Sequence, residues 1–502
     1  MPVGKTICFR QAATVPRLAL WFVMGLFAVG LMPIAQRASA QEFPPLLGVG
    51  EPPGLFADDE TDFEKDAEAF EPNKDSQQAE GQSEDFRRLL KRIEKLEADA
   101  KKGDPKKDAK KEEEWVDLSN DKWNVRLGGH IQMDYIMWPS NSPSIPDAIN
   151  YFEFRRVRLL AEGTGYGVYD FRLQMTLEPE QIGVTPTASI TAPQVKDAYF
   201  TINEVPLLGR IRAGNFFVPF GLEQVTNDTQ NVFLERSIPT QGIFTADREV
   251  GLAVYNCTDD QNATISYGAF FDSISEGLQK QIDSNMGIRV SGRATWCPYY
   301  DEPTNGRYAV HTGVGALYTY DQDDLVRFRA RPEVRQGPFL VDTGNLAAKS
   351  YTVGNVEGAI VWGSVTLQSE GYIAQVRQNS GEQPVFYGAY AHLSYFLTGE
   401  NRNYERFGQH GAQFFRNSPH TNVFGTRSGW GWGAWELKTR FSFLNVNAVN
   451  KGAIQDFTLG CNWYWSDRVR LMFDWIHPVT TAQSLYGQTT SNLLGIRLDF
   501  NW

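Results

Sequence analysis

Along residues 492–502, NLLGIRLDFNW, apolar and polar side chains alternate to the last residue. Leu494, Ile496, Leu498, Phe500 and Trp502 take one set of positions, and Gly495, Arg497, Asp499 and Asn501 the other. A period of two marks a strand with two unlike faces. The same pattern runs through YDFRLQMTLE, where Tyr169, Phe171, Leu173, Met175 and Leu177 oppose Asp170, Arg172, Gln174, Thr176 and Glu178. It returns in GIRVSGRATW (287–296), AWELKTRFSF (434–443), DFTLGCNWYW (456–465) and RLMFDW (470–475). Strands of about ten residues between turns rich in Gly, Asn and Asp are the pattern of a transmembrane β-barrel.

Soluble sandwiches, β-helices and propellers also alternate. Two features point away from them. Tyr169, Trp296, Trp435, Trp475 and Trp502 cap the apolar faces, as interfacial aromatic girdles do. The polar faces carry several long charged groups per strand, and no short repeat marks blades or coils. Residues 116–502, at roughly 24 residues per strand with its connection, give about 16 strands and a lumen wide enough for water. The fold expected is therefore an all-β antiparallel transmembrane barrel whose last strand pairs with its first and leaves no edge.

Upstream of Trp115 the texture differs. Lys5, Arg10 and Arg17 precede the 15-residue apolar run LALWFVMGLFAVGLM, and the small residues ASA end at Ala40. The run is shorter than the roughly 18–20 residues of a membrane span, so residues 1–40 read as a signal peptide. Residues 41–83 are acidic and rich in Pro and Gly, and read as disordered. In 84–101, Phe86, Leu89, Ile93, Leu96 and Ala100 follow 3–4–3–4 spacing. That is a short coiled coil of two heptads or a solvated amphipathic helix. Residues 102–115 form a charged linker broken at Pro105.

Composition narrows the chemistry. The formal net charge is −12, so any anion preference depends on where arginines point. The six histidines are scattered, and no HExxH, G-x-S-x-G or Cys/His metal pattern is present. The reading is of a non-enzyme without a cofactor or metal, and no basic groove interleaved with aromatics marks a nucleic-acid partner. Cys257 and Cys297 end two strands flanking a third, at the same end of the barrel. A disulfide between them requires the turns to lean inward, because two strand spacings are about 9–10 Å. Export permits such a bond. Cys461 falls on the lipid side of its strand.

An anion pore needs arginines on the water side of a low-dielectric wall, where the guanidinium fork suits oxyanions. Strand alternation puts Arg156, Arg158, Arg172, Arg210, Arg212, Arg289, Arg293, Arg440, Arg470 and Arg497 on the lumen face, and RFRAR puts Arg327, Arg329 and Arg331 on one face. Each of them could also pair with a lumen carboxylate and merely stiffen the wall.

Several stretches, in order, resemble the phosphate-selective porin O and P family. They are FEFRRVRLLAEG (152–163), GNFFVPFGLEQVTNDTQNVFLERS (214–237), DREVGLAVY (247–255), YFLTGENRNY (395–404), GAWELKTRFSFLNV (433–446) and TLGCNWYWSDRVRLMFDWIHPV (458–479). The resemblance covers nearly all of 120–502. It implies a 16-stranded outer-membrane barrel, a homotrimer, and a lumen whose arginines guide inorganic anions, phosphate or similar oxyanions first, through a constriction made by an infolded loop. It puts that loop at 219–251 and makes Arg236 and Arg248 the residues at its eyelet, with Glu223, Glu235, Asp247 and Glu249 as neighbours. The alternative is a general or weakly cation-selective porin that also tethers the cell wall or a periplasmic partner through the 84–101 helix.

Overall fold

The structure is a computed structural model that describes residues 122–178, 194–241, 243–271, 287–321, 324–424 and 430–502. The expected signal peptide (1–40), acidic segment (41–83), coiled coil (84–101) and charged linker (102–115) lie outside the described residues.

Sixteen strands form one closed antiparallel wall. They are β1 (Trp123–Asn141), β2 (Tyr151–Gly165), β3 (Tyr169–Thr176), β4 (Gln194–Val205), β5 (Gly209–Phe217), β6 (Arg248–Cys257), β7 (Ala263–Phe271) and β8 (Ile288–Tyr300). The second half holds β9 (Tyr308–Tyr320), β10 (Leu346–Trp362), β11 (Val365–Gln378), β12 (Val385–Phe396), β13 (Ala434–Asn445), β14 (Ala453–Tyr464), β15 (Val469–Thr480) and β16 (Ser491–Asn501). Every strand pairs with its neighbour in sequence, and β16 returns to β1, with His130 opposite Asn501 and Met137 opposite Leu494.

The last strand tells inside from outside. Leu494 is 39% exposed and Trp502 43%, whereas Arg497 is 1% exposed and Asp499 is fully buried. Apolar side chains cover the outside of a closed wall and charged ones fill the inside. That inversion suits lipid as the surrounding solvent. Outward Leu173, Val290, Trp296, Leu437, Phe441, Leu459 and Phe500 repeat it around the barrel.

Closure is sealed at Gly129 and Trp502. Each backbone donates to the other's carbonyl, at 3.1 and 3.3 Å. The Trp502 indole lies over Gly129, where a Cβ would run into the ring and the Arg158 carbonyl. A bare glycine under an aromatic is a known way to pin register in a curved sheet. Gly129→Val is expected to destabilise the closed barrel by about 1–3 kcal/mol through overpacking. The check is the temperature at which the folded band is lost in unboiled electrophoresis, which should fall.

Most connections at the end holding the Trp123 and Trp502 strand termini are short, as at 166–168, 206–208 and 363–364. The long 218–247 connection leaves from the other end. The 397–433 connection, between β12 and β13, leaves from the short-turn end. From these connections the mostly buried stretches 218–241, 243–246 and 400–414 fold into the lumen, as does much of the described part of the connection between β9 and β10.

Cys257 and Cys297 sit where expected, at the same end on either side of β7, since Cys257 faces Thr264 and the Cys297 amide donates to Asn262. The disulfide between them is not formed. The intervening strand keeps two spacings, about 9–10 Å, between their backbones, and the Cys297 thiol donates instead to the Tyr299 carbonyl at 3.3 Å. Cys461, outward as expected, is half-buried.

Candidate functional site

The site is built where the 218–247 segment crosses the lumen. Nearly all of its described residues are buried, charged ones included. It begins with a single helical turn, Leu222–Val225. The amides of Leu222 and Glu223 donate to the Glu370 carboxylate of β11 at 2.9 and 2.6 Å. These are orphan donors of a helix start, capped by a wall side chain. Tyr372 and Tyr390 give their hydroxyls to the same carboxylate at 2.8 and 2.7 Å.

The segment then runs past a file of buried cations, four on the wall and Arg402 in the β12–β13 connection. Arg402 donates to the Gln230 carbonyl at 3.2 Å, Arg470 to Asn231 at 2.7 Å and Lys438 to Val232 at 2.8 Å. Arg497 donates to the Leu234 carbonyl, and Arg440 to Glu235 at 3.0 Å. Five carbonyls between 230 and 235 thus accept from five buried cations. A loop backbone inside a membrane barrel has polar groups to satisfy. These side chains satisfy them.

Carboxylates then neutralise the cations. Arg497 pairs with Asp134 at 2.6 Å and Glu235 at 2.9 Å, Arg470 with Asp499 at 2.9 Å, and Lys438 with Asp474 at 2.6 Å. Arg440 pairs with Glu333, which the β9–β10 connection carries inward, and with Glu223 at 3.3 Å. Toward β2, which pairs with β1, Asp228 of the segment holds Arg156 at 3.2 Å and Arg158 at 2.8 Å, and within the segment it holds Arg236 at 2.9 Å. Burial pushes the Asp228 carboxyl up, but Arg156, Arg236 and Arg158 outweigh it and hold it well below the usual carboxylate range.

A third inward segment comes from the connection between β12 and β13. Its hairpin, Tyr404–Gly408 with Gly411–Phe414, takes Arg210 on the Gly408 carbonyl at 2.8 Å and Arg293 on Ala412 at 2.9 Å. Arg212 donates to the Gln409 carbonyl at 2.9 Å and meets the His410 ring at 3.2 Å. The segments from the two ends touch where the Phe414 amide donates to the Thr226 hydroxyl at 3.4 Å.

Arg156, Arg158, Arg172, Arg212, Arg289, Arg293, Arg440, Arg470 and Arg497 point inward and are buried, and Arg210 points inward and is half-buried. Arg172 pairs with Glu162 and Asp197, Arg289 with Glu249, and Arg293 with Glu357. Arg236 lies in the infolded segment but holds its own loop, donating to the carbonyls of Glu223, Gln224 and Thr226 at 3.0–3.1 Å. Arg248 opens β6, bound to Asp197 at 2.6 Å with its face 3.8 Å above the Phe217 ring. Arg327, Arg329 and Arg331 fall outside the barrel strands, in the β9–β10 connection, where Arg327 pairs with Asp342 in the open.

Alternation missed three participants. Arg155 is the extra residue of a bulge in β2 opposite Gln132 and Met133. It turns inward to Glu235 at 2.6 Å although its neighbour Arg156 also points inward. The doublet RR, two charges in succession, was the available signal. Glu333 and Arg402 stand in connections, where period two says nothing.

The sequence profile of the family described as "Phosphate-selective porin O and P" matches residues 125–502. An uncharacterised protein of Caulobacter vibrioides is 27% identical over 337 residues, spanning 64% of this chain and 62% of that protein. Porin O of Pseudomonas aeruginosa is 25% identical over 409 residues, 73% of this chain and 85% of its own. Among solved structures, an anion-selective porin from Comamonas acidovorans is 10% identical with a TM-score of 0.47, covering 76% of this chain and 100% of that one. The trimer form of OmpT from Vibrio cholerae is 11% identical with a TM-score of 0.47, covering 76% and 100%.

Proposed function

The chain belongs to the phosphate-selective porin O and P family, and from that premise we propose that it carries small anions, phosphate or similar oxyanions first, by passive diffusion across a Gram-negative outer membrane. The observation that supports this reading most is the file of buried arginines on the neighbouring strands β13, β15, β16 and β2 beside the 218–247 segment. At that level a passing anion loses water, and guanidinium groups in a low-dielectric wall offset the loss. In this reading the protein works as a homotrimer, as its resemblance to the family implies.

A second reading has its own support. Most of these cations sit within 4.0 Å of a carboxylate, which cancels much of their attraction. That favours weak selectivity. The experiment is the zero-current potential of the purified protein in a planar bilayer, first in a KCl gradient and then in a potassium phosphate gradient. Anion selectivity, with phosphate reducing the chloride current, supports the first reading. A potential near zero supports the second, and cation selectivity overturns the first.

A further inference from the structure

After its lumen hairpin, the β12–β13 connection returns to the wall at the short-turn end. Its returning limb carries the two most exposed large apolar side chains among the described residues, Trp430 at 82% and Trp432 at 80%. Phe424, on the same limb, is also exposed. Apolar surface left in water is unfavourable in proportion to its area. Three aromatic rings exposed together mark a contact surface.

Backbone geometry fixes which way the rings point. Phe424 forms a β-bridge with Trp430, and the Gly431 amide donates to the Asn422 carbonyl at 3.0 Å. The Val423 amide donates to the Trp465 carbonyl, just beyond β14, at 2.8 Å. A side chain at Gly431 would run into the Asn422 carbonyl and Thr421. That face is closed, so Trp430 and Trp432, on either side of Gly431, point the other way. The Trp463 indole N–H donates to the Trp432 carbonyl at 2.9 Å and ties the limb to the wall.

The rings continue a surface that already meets lipid. Trp435 and Trp463 are the last outward residues of β13 and β14 at this end, directly opposite in register and stacked at 5.0 Å. Trp463 meets Trp465 edge-on at 5.4 Å, Trp465 meets Phe424 at 5.6 Å, and Phe424 meets Trp430 at 5.2 Å. On the same two strands, outward Leu437, Phe441, Phe457 and Leu459 form the apolar band. The file of rings runs off that band past the strand ends, where a bilayer changes from acyl chain to headgroup. Tryptophan suits that zone, with an apolar body and one N–H for a headgroup oxygen. Short turns of an outer-membrane barrel face the periplasm, so the leaflet is the periplasmic one.

We propose that Phe424, Trp430 and Trp432 form a phospholipid-contact surface on the β12–β13 connection, seated in the headgroup zone of the periplasmic leaflet. A strand-end girdle belongs to the wall. This surface belongs to a connection whose other limb, 404–414, is gripped in the lumen by Arg210, Arg212 and Arg293. One connection is thus seated in lipid at one end and in the pore at the other. The contact is independent of which ion the channel carries.

The test places the full protein in nanodiscs of phosphatidylethanolamine and phosphatidylglycerol, with and without lipids brominated on the acyl carbons nearest the headgroup. Trp430→Phe with Trp432→Phe keeps an aromatic ring at both positions and every backbone bond of the limb, so the barrel stays folded. Its emission, subtracted from that of the unmodified protein, isolates the two indoles. That difference should lose most of its intensity in the brominated nanodiscs. No loss there overturns the lipid contact, and iodide in the buffer then tells what replaces it. Quenching by iodide would put the rings in water, open to a cell-wall glycan. Shielding from iodide would put a second copy of the chain or another protein over them.

Discussion

Arg440→Ala is expected to lower barrel stability by about 3–5 kcal/mol and to widen the channel. The guanidinium is buried and joins β13 to two inward segments, through Glu223 and the Glu235 carbonyl on one and Glu333 on the other. Removing it leaves Glu333 buried against Ser442 and Thr458, and Glu223 against Ser237, with no cation. Stranding a buried charge in this way costs about 3–5 kcal/mol. The segments then lose their shared anchor. The unfolding temperature of the unboiled protein should fall, and single-channel conductance should rise and fluctuate. Arg440→Lys should recover only part of either property, because an ammonium cannot reproduce the fork. An unchanged conductance in Arg440→Ala would mean the segments are held without it.

The second large effect is on selectivity. Asp228→Asn removes one carboxylate that serves Arg156, Arg158 and Arg236 together. A unit charge about 10 Å from a passing ion, at an effective dielectric near 20, is worth about 1.7 kcal/mol. Salt reduces this. The anion-to-cation permeability ratio should rise about five- to tenfold, read from zero-current potentials in a KCl gradient. The pH dependence has a definite sign. A carboxyl held below its ordinary value keeps its charge, and the stability that goes with it, above that ordinary value, and loses both only as pH falls through the depressed one. Selectivity of the unmodified channel between pH 5 and 8 should therefore not move on account of Asp228. A ratio unaffected by Asp228→Asn would place the ion path elsewhere in the lumen.

The wall was legible in the sequence because a barrel in lipid obeys one rule on every strand. Leu494 to Trp502 and Tyr169 to Leu177 show the rule directly, and the lumen side of Arg172, Arg289, Arg440 and Arg497 follows from it. What alternation cannot see is backbone that leaves the wall. Glu333, Arg402 and the 230–235 carbonyls act from connections. Arg155 acts from a bulge that breaks the period. Arg236 shows the same limit from the other side. Its loop was found through its resemblance to the family, but the direction of its side chain depends on three carbonyls of its own turn. The disulfide failed for a simpler reason, that β7 keeps the two cysteines a strand apart.

The link between Arg497 and the infolded segment also ties the seam of the wall to the lumen. Arg497 stands on the last strand and reaches Asp134 on the first as well as Leu234 and Glu235 on the segment. The contact with Asp134 spans 363 positions of the chain, and contacts of such separation form late. Until β16 docks, the segment lacks one of its main holds and the wall lacks its seam. Docking of β16 therefore gives the wall its last hydrogen-bonded edge and gives the 218–247 segment its hold on Arg497 together.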